Sequence, residues 1–482
     1  MLTSHPPHPA WRRPAGHIAV AAAALLLAGC ASVNIDDSVA RSNREAAPFT
    51  QGQLALRQTD AQRSDAQRAA SRLLDQPLSE ADAVQLALVN SPALQALIAE
   101  RWADMADAAQ SGRITNPLFS FERTTLPGEL ELSRRLSFGL LDLLTLPARQ
   151  AVATRRIEAA QLALTANVVE AVTQVRQAWV GAVAAQQSLA YAQQVLASAQ
   201  AAADLAERMQ KAGNFTRLQR ARQQVFYADA ATQLAAAQQA QTATRERLVR
   251  LLGLDSAQAQ QLKLPARLPD LPKAPRSADD VSRAAAEQRL DVRIAALRAD
   301  AAAKAQGLGR ITSFTDIEAT ARRDNIESGG NTAIRRGYEL GVRLPLFDWG
   351  GVQRDRLNAT TLAAANQLDA TTRSAASSLR EAYAGYRSAY DVSRHYRDEV
   401  VPLRKTISDE NMLLYNGMFI SVFELLADQR DQVAAVMAAI NAQRQFWLAD
   451  AALQAEIVGQ PMGAVSLAAA GSGPAISSGG GH

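Results

Sequence analysis

Residues 413–429 read LLYNGMFISVFELLADQ. Here a glycine followed by a small hydroxyl residue interrupts a long helical pattern rich in Ala and Gln. About half a chain earlier, residues 209–223 read MQKAGNFTRLQRARQ, and Gly213 and Thr216 repeat the spacing of Gly417 and Ser421 to within one residue. A glycine permits the positive φ of a tight helix reversal. The chain therefore reads as one unit written twice, each copy folding back at its glycine.

Working outward, residues 148–212 form one helical run that at 1.5 Å per residue is roughly 95 Å long. Within it Val168, Val172, Val175, Trp179, Ala182, Gln186 and Leu189 alternate spacings of four and three, a coiled-coil seam. The return from Phe215 to Leu252 is about 57 Å and stops at Gly253; an earlier helix from Leu78 to Gln110 is about 50 Å. That earlier helix opens with Ser79 as cap and Asp82 at the third position, and Pro92 predicts a kink near Ser91. Laid end to end, the two shorter helices match the long one, which predicts antiparallel rods. Pro265, Pro269, Pro272 and Pro275 then make residues 255–277 an irregular crossover.

Beyond the crossover the order recurs. Val281 to Gln306 is helical, and Gly309-Arg310-Ile311-Thr312 repeats Gly112-Arg113-Ile114-Thr115 at an offset of 197, while Gln353 answers Gln150 at 203. A second rod spans Val352 to Tyr415, a second return Ile420 to Val458, and Gly459 answers Gly253.

Between each pair of rods the period changes from helical to alternating. Leu130, Leu132, Leu136 and Phe138 share one face and Glu129, Glu131, Ser133, Arg135 and Ser137 the other, with Arg134 the exception on the apolar side. Leu118 to Arg123, with Phe119 and Phe121 on one face, supplies the partner strand across Leu126-Pro127-Gly128. The second hairpin presents Tyr338, Leu340, Val342, Leu344 and Leu346 against Glu339, Gly341 and Arg343. The larger offset downstream makes it the longer one, with residues 322–336 as its exposed tip. One greasy side per hairpin fits a membrane face and equally a solvated sheet on a core.

The domain plan is a signal peptide over 1–29, an extended arm over 30–77, a first repeat over 78–254 with its hairpin at about 117–139, the crossover, a second repeat over 278–460 with its hairpin at about 313–347, and a flexible tail over 461–482. In the signal, Arg12 and Arg13 precede an apolar run from Ile18 to Leu27, too short to span a bilayer, that ends in Leu27-Ala28-Gly29-Cys30. That ending resembles a bacterial lipobox, which implies cleavage before Cys30 and a covalent lipid on its sulfur. Each buried methylene of that lipid would contribute about 0.8 kcal/mol of membrane anchoring.

Composition narrows the function. A 48% hydrophobic content dominated by Ala suits packed helices, and a net charge of +4 with both signs interspersed argues against nucleic-acid binding. Cys30 is the only cysteine and the five histidines form no helical pair, so neither a disulfide framework nor a metal centre is expected. No nucleophile or phosphate loop suggests an enzyme. Met412 and Met418 at the second turn read as packing residues, not as soft metal ligands.

Two hairpins give four strands, and four strands cannot close a barrel in a membrane without leaving unpaired edges. If they span a bilayer, the chain must oligomerise: eight strands from two chains enclose only side chains, whereas twelve from three leave room for a channel. The order of lipobox, helix, hairpin, rod, turn, return and crossover, all repeated, resembles the TolC-type outer-membrane efflux channels over about residues 78–460. The run Gly337-Tyr338-Glu339-Leu340-Gly341-Val342 followed by Leu344-Pro345-Leu346-Phe347-Asp348-Trp349-Gly350-Gly351 is similar to that family's strand-to-helix junction. The resemblance implies a mainly α fold with a small β part: antiparallel coiled-coil rods forming an α-barrel, and four strands per chain in a trimeric 12-stranded transmembrane β-barrel. It further implies a homotrimer anchored in outer-membrane lipid and extending into the periplasm, where it meets an adaptor protein and an inner-membrane pump.

The same resemblance assigns sites. Glu424 falls on an acidic position that narrows the periplasmic entrance; the second acid of that pattern falls on Ala427, with Asp428 one residue beyond. An acidic ring on a three-fold axis attracts cations and raises its own proton affinity by repulsion. The two turns become adaptor-docking tips, made of Gly213, Asn214 and Phe215 in the first repeat and Gly417, Met418 and Phe419 in the second. Passive exit of small toxic compounds or metal ions is the leading function. Its alternatives are the outer channel of a type I protein secretion system and a structural periplasmic coiled-coil lipoprotein without a pore.

Overall fold

A computed structural model of the chain describes residues 33–461. The signal peptide, Cys30 and the tail after Pro461 lie outside the described residues. Contacts divide the chain into two units. One comprises Trp102–Ile157 and Asp300–Thr361, the other Ile35–Arg101, Glu158–Ala299 and the residues from Leu362 onward.

The elements run in order: α1 (Ile35–Thr50), α2 (Asp60–Leu74), α3 (Glu80–Asn90), α4 (Pro92–Ser111), β1 (Leu118–Leu126), β2 (Glu129–Gly139), α5 (Leu140–Leu144), α6 (Leu146–Lys211) and α7 (Arg217–Leu252). They continue with α8 (Ser256–Gln261), α9 (Ala278–Gln288), α10 (Leu290–Thr312), β3 (Ile317–Ser328), β4 (Asn331–Val342), α11 (Gly351–His395), a π-turn (Tyr396–Val400), α12 (Val401–Asn416) and α13 (Val422–Ile457).

In the larger unit the seam expected of α6 is buried at Val168, Val172, Val175, Trp179 and Ala182, while Gln186 and Leu189 are only half-buried. Trp179 donates from Nε1 to the Leu78 carbonyl at 2.8 Å, so its indole fills the core without leaving its N–H unpaired. A second core gathers Tyr386, Tyr390 and Phe446 around Val281 and Leu453. Both tyrosines anchor the crossover: the Arg276 N–H donates to the Tyr386 hydroxyl at 3.0 Å, and the Tyr390 hydroxyl donates to the Pro272 carbonyl at 3.1 Å. Pro269 accepts from Trp447 Nε1 at 3.0 Å. The crossover is thus irregular in backbone but pinned, and it opens with α8, a single turn the prolines had hidden.

From residue 33 onward the expected extended arm is largely helical. Residues 35–50 and 60–74 are helices, and Ile35, Val39, Ala46 and Phe49 bury a narrow stripe of α1. Charged and small residues dilute that stripe in the sequence. In α2, Thr59 and Gln62 form a reciprocal capping box that fixes its start. The break at Ser91 occurs as Pro92 demands, with Ser91 extended at φ −66° and ψ 118°. The second rod is interrupted by the π-turn, where the Val401 N–H reaches the Tyr396 carbonyl. Pro402 is the cause: it has no N–H for the Asp398 carbonyl and its ring would strike that oxygen in a regular helix. Helix α10 also outruns its expected end at Gln306, continuing through Gly309 to Thr312.

The smaller unit holds one antiparallel sheet in the order β1-β2-β3-β4. Pro127-Gly128 turns the first hairpin with Gly128 at φ +82°, and Gly329-Gly330 turns the second with φ +58° and +81°. Residues 322–336 are therefore mostly strand and not a loose tip. The extra residues lengthen the ladder, and their alternation is masked in the sequence because charges occupy both faces. Leu344 and Leu346 lie beyond β4 in coil, because Pro345 cannot continue the ladder.

Candidate functional site

Two places in the fold carry the sites anticipated from the sequence: the helix reversals of the larger unit and the sheet of the smaller one. At the first reversal the Gly213 N–H donates to Gln210 O at 3.0 Å and the Asn214 N–H to Met209 O at 2.9 Å. This is a Schellman motif with Gly213 left-handed at φ +81°. At the second, the Met418 N–H donates to Tyr415 O at 3.0 Å and the Phe419 N–H to Leu414 O at 2.9 Å. Each motif leads three residues later into a reciprocal capping box, Thr216 with Gln219 and Ser421 with Glu424.

Hydrogen bonding therefore aligns the repeats one residue away from the glycine register. Gly213 matches Met418, Asn214 matches Phe419, and Gln219 matches Glu424. Gly417 does not supply the positive φ expected of it. It sits at φ −77°, and Met418 takes the left-handed conformation at φ +61°. Gly417 instead lies under the Phe419 ring: a Cβ there would come 2.7 Å from its Cδ2, so the exposed ring would have to move aside.

Exposure separates the residues expected to dock a partner. Met418 and Phe419 are 93% and 81% exposed, and Gly213 and Asn214 are also open. Phe215, expected to face a partner, is only 6% exposed. As the residue before the Thr216 cap it turns inward with the returning helix, leaving Gly213 and Asn214 open at the first tip, while Leu218 at the start of α7 is 62% exposed.

The acidic residues separate too. Glu424 is exposed, but its Oε2 accepts from the Ser421 N–H at 3.1 Å while its own N–H donates to Ser421 Oγ at 3.4 Å. Asp428 is buried, and its Oδ2 has no hydrogen-bond partner among the described residues. One exposed carboxylate and one buried carboxylate stand one helical turn apart.

Sequence reasoning missed two buried charge clamps. Arg176 donates from Nη2 to Phe49 O at 2.6 Å and from Nη1 to Gln454 Oε1 at 3.2 Å, and its Nε pairs with Glu80 at 3.2 Å. Its guanidinium also stacks 4.6 Å from the centre of the Phe49 ring. Burial lowers the Arg176 pKa and raises that of Glu80, each partner opposing the shift in the other. Arg289 binds Asp291 at 2.7 Å and Glu456 at 3.1 Å. Burial works against its charge, but the hydrogen bonds and charges of the two acids outweigh it and hold its pKa above the ordinary value. A lone arginine in the apolar run around Val175 was the available signal for the first clamp. Both tie first-repeat or crossover-flanking helices to α13. Among the described residues no cluster of three His, Cys, Asp or Glu side chains could hold a metal.

In the sheet, the pairing register sorts the side chains onto two faces. Ser133 and Asp324 are buried on one, with Arg322 bridging Asp324 and Glu131, Arg135 pairing with Glu122 at 3.1 Å, and Ser137 bonded to Thr320 at 2.9 Å. The other is exposed and largely apolar: Phe119, Phe121, Leu136, Phe138, Tyr338 and Leu340 stand on it. Strands β1 and β4 each leave one edge unpaired. Among the described residues no helix is long and apolar enough to cross a membrane.

No protein-family model and no curated protein matches this sequence. Solved structures do match. The outer membrane protein VceC of Vibrio cholerae aligns over 82% of this chain and 96% of its own, with TM-score 0.65 and 16% identity. A membrane protein from Pseudomonas aeruginosa aligns over 81% and 93%, with TM-score 0.65 and 19% identity. The open state of the MtrE outer membrane channel of Neisseria gonorrhoeae aligns over 82% and 90%, with TM-score 0.63 and 18% identity. The chain has the TolC-type outer-membrane channel fold, a helical architecture with one small antiparallel sheet.

Proposed function

We propose that three copies of this chain form a passive channel through the bacterial outer membrane, with the four-stranded sheets joined edge to edge into a 12-stranded barrel and the helices extending into the periplasm. The observation that carries this reading is the sheet itself: an exposed apolar face, a polar face laced by ion pairs, and two open edges in a single chain. Unpaired edges are costly in a bilayer, and pairing β4 of one copy with β1 of the next removes them all. The polar face then lines the duct.

The substrates are small toxic compounds or metal ions, handed over by an inner-membrane pump through a periplasmic adaptor that grips the exposed Met418 and Phe419. Glu424 forms an acidic ring at the periplasmic entrance, and a lipid on Cys30 anchors the mature N-terminus. Purified protein added to planar bilayers gives stepwise single-channel conductance and a trimeric mass by light scattering. A monomer without conductance would instead favour the pore-free structural lipoprotein.

A further inference from the structure

Arg134 is the one residue that breaks the apolar alternation of β2, and the sheet gives it company. It pairs directly with Arg323 of β3, which pairs directly with Arg336 of β4. All three are exposed on the apolar face. None of their side chains has an ion pair or a hydrogen bond among the described residues. Their carboxylate-paired neighbours Arg135 and Arg322 stand on the opposite face.

Like charges directly opposite one another destabilise a sheet, and here they occur twice in one row. The row is also placed at a boundary. Toward the helices lie Leu136, Ala321 and Tyr338, then Phe138, Ala319 and Leu340, then Ile317 and Val342. Toward the hairpin turns the same face becomes mixed, with Asn325 between Leu132 and Ile334, then Glu327 between Leu130 and Thr332. The arginines thus divide an apolar band on the helix side from mixed polar and apolar rows on the turn side, five positions from the last pair of each hairpin.

We propose that this row binds the phosphates of the anionic glycolipid in the outward leaflet of the outer membrane, whose acyl chains lie against the apolar rows beneath. The inference rests on the barrel reading above, which directs the hairpin turns outward. With strands about 4.8 Å apart, three guanidiniums span about 10 Å, wider than one phosphate and suited to a headgroup that carries more than one. Arginine matches phosphate by its planar fork of donors, and the bound anion removes the repulsion along the row. Three copies would repeat the row around the barrel as a cationic belt.

The test uses the purified full-length protein, reconstituted in nanodiscs of phosphatidylcholine doped with bisphosphorylated lipid A, its dephosphorylated form, or phosphatidylglycerol, with bound lipid counted by native mass spectrometry. The expected result is at least a tenfold preference for bisphosphorylated lipid A. The triple change Arg134→Gln, Arg323→Gln, Arg336→Gln abolishes that preference, and Arg335→Gln on the opposite face keeps it. Should the triple variant fail to fold, Arg323→Gln alone, at the centre of the row, must lower the preference severalfold. Equal uptake by parent and variant overturns the proposal, as does a preference for phosphatidylglycerol over lipid A. Conductance separates the two readings: a conducting protein without lipid preference refutes only the arginine belt, and a protein that enters no bilayer refutes both.

Discussion

The two helix reversals share one backbone and differ in what they spend on it. Both pair a Schellman motif with a capping box, yet the left-handed position is Gly213 in one and Met418 in the other. A non-glycine residue there costs about 1 kcal/mol. The second tip accepts that cost and gains an apolar side chain fully in solvent, next to an exposed Phe419. Among Gly213, Asn214 and Phe215 the first tip carries no such group, since Phe215 is turned inward. The same turn geometry thus carries exposed apolar side chains in one repeat and not in the other.

The opposite ends of the return helices supply the contrast. Gly253 and Gly459 close α7 and α13 with φ +66° and +80°, and neither has room for a side chain. A Cβ on Gly253 would sit 2.4 Å from Pro92 Cδ and 2.8 Å from Ser91 Cα; one on Gly459 would sit 2.9 Å from the Leu290 backbone nitrogen. Gly213 has nothing within 4 Å. Gly253→Ala and Gly459→Ala should therefore each destabilise by about 3 kcal/mol, adding a backbone clash to the left-handed cost. Denaturant midpoints measure it, and a loss no greater than that of Gly213→Ala would break the distinction between packed ends and open tips.

Next in size is partner capture. Phe419→Asp should weaken binding to the cognate periplasmic adaptor at least tenfold, about 1.4 kcal/mol, with folding unchanged because the ring is in solvent. Asn214→Asp in the first tip should change it little. Equal losses in surface plasmon resonance would mean that the two tips dock alike.

Smaller still are the backbone costs of the tips. Gly213→Ala should destabilise by about 1 kcal/mol, and Met418→Gly should stabilise by about 0.5 kcal/mol once the extra freedom of glycine in the unfolded chain is counted. Opposite signs in thermal melts are the signature; a destabilising Met418→Gly would show that the Met418 side chain contributes packing despite its exposure.

The duplication, the rods, the hairpins and the break at Ser91 were legible because each is periodic or punctuated by Gly, Pro or Ser. The register of the second reversal was not. Gly417 looks like the turn glycine, and only hydrogen bonds reveal that its neighbour is left-handed while Gly417 makes way for a ring. Helix α1 was hidden because its buried stripe is narrow, and strands in 322–336 because arginines fall on both faces. The clamps reach from Arg176 to Phe49 and from Arg289 to Glu456, each pair more than a hundred positions apart, a distance over which pattern carries no information. Arg134 was visible as an exception, but its meaning required the register that sets it beside Arg323 and Arg336.

The smallest stability effect decides the most about Glu424. Its carboxylate caps α13 as the Gln219 amide caps α7, so Glu424→Gln converts the second box into the first one's chemistry. Capping survives, because a glutamine oxygen accepts from the Ser421 N–H equally well in geometry. Only the favourable charge at the helix N-terminus is lost, no more than about 0.5 kcal/mol. Glu424→Ala would confound the question by removing the cap and the charge together. If Glu424 also rings the entrance, Glu424→Gln removes three negative charges from a constriction, and cation selectivity in planar bilayers should fall severalfold while the melting temperature barely moves. Unchanged selectivity would reduce Glu424 to a capping residue and leave the second tip distinguished from the first by Met418 and Phe419 alone.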